Sequence, residues 1–126
     1  MNSNSKIVLA VIVGAALGAA TLQGLHAQAK PKAYIVSESE ILDAAAAAAY
    51  GPKNQAAQTA AGARSFRTTG KITAVVGTAP QRVGISEWDN VDQAQAWLKS
   101  DARIKLDPER AKAIKIIRQY IVEAAN

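Results

Sequence analysis

Two carboxylates, Glu38 and Glu40, stand two residues apart in "YIVSESEI". On an extended strand they would share one face, as a cooperating acid and base must. Such a pair works only when burial separates the two pKa values. The cations Arg82 and Arg118 further along favour surface ion pairs over acid–base chemistry. The other groups with chemical capacity are Tyr34, Tyr50, Arg82 and Trp88, together with Trp97 and Tyr120. Trp97 and Tyr120 read first as core or interface packing, because aromatic side chains dominate burial in small domains. Tyr50 stands directly before a Gly-Pro, where its hydroxyl would either reach a pocket or close local packing. Trp88 ends a strand, where it would line a cleft mouth or seal a sheet edge.

What is missing narrows the chemistry further. The chain has no cysteine, and its one histidine, His26, falls in the N-terminal segment. Residues 30–126 therefore offer no thiol nucleophile, no Ser-His-Asp triad, no zinc set of the usual types and no histidine for haem. No catalytic residue, metal or cofactor is assigned. The net charge is +5 at pH 7, with the cations scattered along the sequence and not gathered in a block. That pattern is a solvated basic surface, and no nucleic-acid partner is expected.

Residues 1–29 read as a secretory signal peptide. A single cation, Lys6, precedes the uncharged run "IVLAVIVGAALGAATL", and Ala27-Gln28-Ala29 supplies the small-x-small cleavage pattern. The run is short and rich in Ala and Gly against the roughly 20 apolar residues of a spanning helix. A periplasmic or secreted protein is expected, touching the membrane only transiently through this leader. Residues 30–126 then form a single domain. A core of that size is modest, and without disulfides extra burial by oligomerisation would help it.

The periodicity changes in order along this domain. "KAYIVSESEI", residues 32–41, alternates as a strand. Asp43 caps a helix through six alanines, which Gly51-Pro52 interrupts; a second segment restarts at Pro52 and stops at Gly62. "ARSFRTTG" reads as a strand, continued or hairpinned by "KITAVVG", and "QRVGISEW" as the next. Asp89 or Asn90 caps a helix in "VDQAQAWLKS", with Val91, Ala94 and Leu98 at helical spacing. Further helical turns are expected in "PERAKAI", then a closing strand, "IKIIRQYIVEA". The predicted fold is α+β, a ferredoxin-like β-α-β-β-α-β sandwich with an antiparallel sheet and two helices on one face.

That plan leaves one sheet face uncovered, either polar or paired with a second copy. Apolarity suggests that Val83 and Ile85 meet the helices, while Arg82, Gly84, Ser86 and Trp88 point away. In the first strand Tyr34, Val36, Glu38 and Glu40 share one face. In the last, Ile116, Arg118, Tyr120 and Val122 alternate with Ile117, Gln119 and Ile121.

The segments "KAYIVSESEILD", "AYGPKNQAAQTAAGARSFRTTGK", "QRVGISEWDNVDQAQAWLKS" and "YIVEA" resemble, in order and spacing, the domain-of-unknown-function family 1330. The most specific pieces are Gly62 with Arg64, Gly70-Lys71 and Ala96-Trp97. Where the family usually has an arginine and two glycines, this chain has Thr68, Thr69 and Gly70. A proline and a tyrosine usual after the Ala-Trp helix are here Asp101 and Arg103. If that arginine matters in the family it is lost here, unless Arg67 substitutes for it. The resemblance implies a homodimer of the dimeric α/β-barrel type, its two sheets face to face, and it implies no activity.

Three functions fit these residues. One is a non-catalytic dimeric module binding a small apolar or amphipathic molecule between sheet and helices, lined by Tyr34, Tyr50, Arg82 and Trp88. A second is an envelope protein whose sheet face serves only to dimerise. The third is a cofactor-free enzyme, monooxygenase- or isomerase-like, using Tyr, Arg, Asp or Glu. Fold analogy alone is a weak warrant for catalysis, and an enzyme is the least favoured of the three.

Overall fold

In a computed structural model, residues 29–66 and 70–125 are described. The signal-peptide reading falls on residues outside that set. Strand β1 (Ala33–Ile41) leads into helix α1 (Ala44–Ala60), then β2 (Arg64–Phe66) and β3 (Arg82–Trp88). Three helices follow, α2 (Val91–Leu98), α3 (Asp101–Ile104) and α4 (Asp107–Ala113), and β4 (Ile114–Glu123) closes the chain. The sheet has four antiparallel-paired strands in the order β2-β3-β1-β4, the split β-α-β order of a ferredoxin-like sandwich.

Local chemistry sets the ends of α1. Asp43 is extended, and its carboxylate accepts from the Ala46 N–H at 2.8 Å. At the other end Gly62 adopts φ +99°, the Gly62 N–H donates to Thr59 O and the Ala63 N–H to Gln58 O. That is a Schellman cap, and it needs a residue tolerant of the left-handed region. Between these caps the helix is continuous over 17 residues, with Pro52 inside it. The expected break at Gly51-Pro52 does not occur. Proline deletes one donor without forbidding helical φ, and Tyr50 and Ala57, packed into the core on either side of it, hold both halves on one line.

Helix α2 starts at Asn90, whose side chain accepts from the Gln93 N–H, while Gln93 Oε1 accepts from the Asp89 N–H. Ser100 caps α3, and Pro108 sits in the first turn of α4.

Two strand expectations change. "KITAVVG" is not a strand: residues 70–81 are irregular, and Val75 and Val76 are 95% and 93% exposed. β-branched residues favour strands by packing against neighbours, and here nothing packs on them. The faces of β3 are also reversed. Trp88 (1% exposed) and Ser86 point to the helices, in register with the buried Ala33 and Ile35. Val83 and Ile85 instead share the open face with Val36 and Tyr120. In β4 the alternation breaks at a bulge, where Glu38 pairs Arg118 but Ser39 pairs Ile116, so that Ile117 is extruded.

The helix side holds two core clusters. In one, the Trp88 and Trp97 rings stack with centroids 5.8 Å apart, among Ala33, Ile35, Ala63 and Ala94. In the other, Tyr50 packs with Ala113 and Ile114. A Cβ built on Gly51 meets nothing within 4 Å. Gly51→Ala is therefore expected to raise stability by roughly 0.5–1 kcal/mol in urea denaturation, as alanine gains over glycine inside a helix. A loss of stability would show that the helix is broken at this point.

Candidate functional site

Helix α1 is built from small residues, and so is the part of the sheet beneath it. Between them lies a cavity of about 370 Å³. Its roof is Ala47, Ala48 and Gly51, followed one turn on by Asn54, Gln55 and Gln58. Its floor is Ile35 and Ser37 of β1, Gly84 and Ser86 of β3, and Ser65 of β2. Arg82 lines it as well. A Cβ on Gly84 would enter open space. The volume falls within the ordinary range for small-molecule sites, roughly 300–1,000 Å³.

The polar lining is held in place. Ser65 Oγ donates to Gln58 Oε1 at 2.7 Å, tying floor to roof. Ser86 Oγ accepts from the Trp88 indole N–H at 3.0 Å, and Ser37 Oγ accepts from Gln119 Nε2 at 2.8 Å. Each of those two hydroxyls keeps its own proton to donate. The cavity thus offers hydroxyl and amide hydrogen bonds on an alanine and isoleucine background.

Near Arg82 the chemistry becomes cationic. Arg82 is half-buried and makes no ion pair or hydrogen bond among the described residues. It is the register partner of Ser39, so both stand on the helix face. Ser39 is 1% exposed, and its Oγ has no hydrogen-bond partner among the described residues. An unpaired buried hydroxyl costs about 1–3 kcal/mol. On the other side of Ser39, Ile116 packs against the Tyr50 cluster. Arg103 and Arg110 both approach Asp107 Oδ1, at 3.6 and 3.1 Å. Burial pushes the Tyr50 phenol above its usual pKa, and the positive charges of Arg110, Arg82 and Arg103 partly oppose that rise.

Of the four residues expected to line a ligand site, only Arg82 borders the cavity. Tyr34 is on the opposite sheet face, in register with Glu87 and Val122. Trp88 is core, stacked on Trp97, and not a cleft mouth. Tyr50 is 6% exposed and fills the second core cluster beside the cationic end. Glu38 takes two N–H groups of Arg118, at 2.5 and 2.8 Å, on one oxygen, and Glu40 is exposed. The two carboxylates are therefore not a buried acid–base pair. The serine and amide lining was missed, because isolated Ser, Asn and Gln carry no motif.

Fold and cavity together define a small α+β domain with a four-stranded antiparallel sheet and a cavity under its first helix. The chain belongs to the family described as Domain of unknown function (DUF1330), whose profile matches residues 32–125. No relative is found among curated proteins. Two solved structures share the fold, each at TM-score 0.60 and 12% identity over 84% of this chain. One is the RPA0582 protein of unknown function from Rhodopseudomonas palustris, 92% of which is covered. The other is methylated RPA0582, covered to 90%.

The raised Tyr50 pKa has a consequence with a definite sign. The folded state favours the neutral phenol, so the associated stability is intact below the unfolded value of about 10 and is lost as pH rises through the higher folded value. Tyr50→Phe should lose less stability than the wild type from about pH 10 upward, measured as the shift in urea midpoint from pH 8. Parallel losses in the two proteins would mean that Tyr50 ionises as freely folded as unfolded.

Proposed function

We propose that this protein is a non-catalytic binding module for a small amphipathic molecule, held between α1 and the sheet. The cavity carries this reading, because its hydrogen-bond donors are pre-positioned on an apolar background, as small-molecule sites require. An enzyme reading has less support. The chain offers no histidine or cysteine beyond the leader, and the paired carboxylates are engaged or exposed.

The module works as a homodimer in this proposal. Phe66, Ile85, Val36 and Tyr120 form one continuous cross-strand row on the helix-free face. Phe66, Tyr120 and Val122 are substantially exposed there, and Arg64 lies 5.3 Å over the Phe66 ring. An apolar row rimmed by the Glu38–Arg118 and Lys32–Glu87 ion pairs suits a second copy of the same sheet. A purely structural dimer would use this face and have no need of the cavity. We place the module in a periplasm or outside the cell on the strength of the leader. Among the described residues no helix is long and apolar enough to cross a membrane.

A thermal-shift screen with amphipathic acids and quinone-like compounds tests the binding reading. A ligand at about 100 times its Kd adds roughly 2.7 kcal/mol to the folded state. Gly84→Leu, which directs a side chain into the cavity, should remove any shift observed. Absence of a shift across the panel, or a shift that persists in Gly84→Leu, contradicts cavity binding. For the dimer, light scattering at micromolar concentration should give twice the chain mass, and Tyr120→Glu should halve it. A monomeric wild type would sink that part of the proposal.

A further inference from the structure

The cavity is not chemically uniform, and its cationic end says what kind of molecule it holds. Arg82 lines that end, while Arg103 and Arg110, whose charges act on Tyr50 together with that of Arg82, are both held against one acid, Asp107. Arg82 is left with no anionic partner among the described residues, half-buried at the cavity lining. Beside it on the same sheet face is the Ser39 hydroxyl, buried and without a hydrogen bond. Burying a guanidinium unpaired is unfavourable, and so is burying a hydroxyl without a partner. Arg82 lines the cavity, and Ser39, its register partner, lies buried just beyond that lining; two such adjacent groups point to a shared acceptor at Arg82. An oxyanion meets both needs, since it accepts from the planar fork of Arg82 and from a neighbouring hydroxyl.

We propose that the Arg82 end of the cavity is an oxyanion subsite, which seats the carboxylate or phosphate of the bound molecule against Arg82 and Ser39. The field of Arg103 and Arg110 supports it from behind Tyr50, and the ligand's apolar part lies toward Ile35 and the α1 alanines. This subsite rests on the binding proposal above and specifies its ligand class, an amphipathic acid.

Titration calorimetry with octanoate, octyl phosphate and octanamide tests it on the wild type, Arg82→Gln and Lys99→Gln. Lys99 is exposed at the end of α2 and serves as a charge-matched control. In the wild type at least one of the two anions should bind about tenfold or more tightly than the amide, as expected of a charge-assisted pair. Arg82→Gln should erase that preference and Lys99→Gln should keep it. Whichever anion binds more tightly identifies a carboxylate or a phosphate as the natural head group. Equal binding of anion and amide, or a preference that survives Arg82→Gln, overturns the subsite while leaving the cavity reading intact. Failure of all three probes overturns the subsite as well, and a cavity that still takes uncharged quinone-like compounds would survive it. Ser39→Ala offers a second readout that does not depend on Arg82. It should raise the melting temperature of the unliganded protein, by removing an unsatisfied hydroxyl, and weaken anion binding. A lower melting temperature would show that the hydroxyl is already engaged and would remove Ser39 from the subsite.

Discussion

The stack of Trp88 on Trp97 is the contact on which this small core depends. These are the only two tryptophans in a chain with one phenylalanine, and they meet face to face between β3 and α2. An aromatic pair of this kind adds about 0.5–1.5 kcal/mol beyond the area it buries. Its larger effect is one of volume. By filling one end of the sandwich, it lets the rest be built from alanine, glycine and serine. Where α1 crosses β1, β3 and β2, roof and floor are both small, and the space between them remains a cavity. Full core and open site are thus two outcomes of one uneven distribution of side-chain volume.

The same distribution explains which parts of the fold were legible. Capping is local chemistry, so Asp43, Asn90 and Gly62 mark helix ends in sequence and in structure alike. Alternation located β1, β3 and β4, because strands with a buried side keep a period of two. It could not say which side of β3 is buried, since both faces are apolar: Val83 and Ile85 look as much like core as Trp88 does. Ser86 and Gly84 face the helix for their smallness, a property that hydrophobicity does not register. The continuity of α1 through Pro52 and the extrusion of Ile117 are tertiary outcomes, and neither has a local signature.

Reversing β3 has a functional consequence. It removes Trp88 from the list of ligand contacts and brings Arg82 onto the helix face with Ser39. Tyr34 goes to the open face with Val36 and Tyr120, where it joins a surface suited to a second copy. Sequence reading thus singled out the arginine that borders the cavity but assigned it the wrong neighbours. What surrounds it, a row of serines and amides from four separate segments, becomes visible only once the register is known.

The central claim is that the ligand sits under α1 and not on the helix-free face. Backbone amide chemical shifts, followed during titration with octanoate, read this directly. The account predicts perturbations at Ser37, Gln55, Gln58, Arg82 and Gly84, with Val36, Tyr120 and Val122 unmoved. Shifts confined to Val36, Tyr120 and Val122 would place binding on the opposite side of the sheet and contradict it.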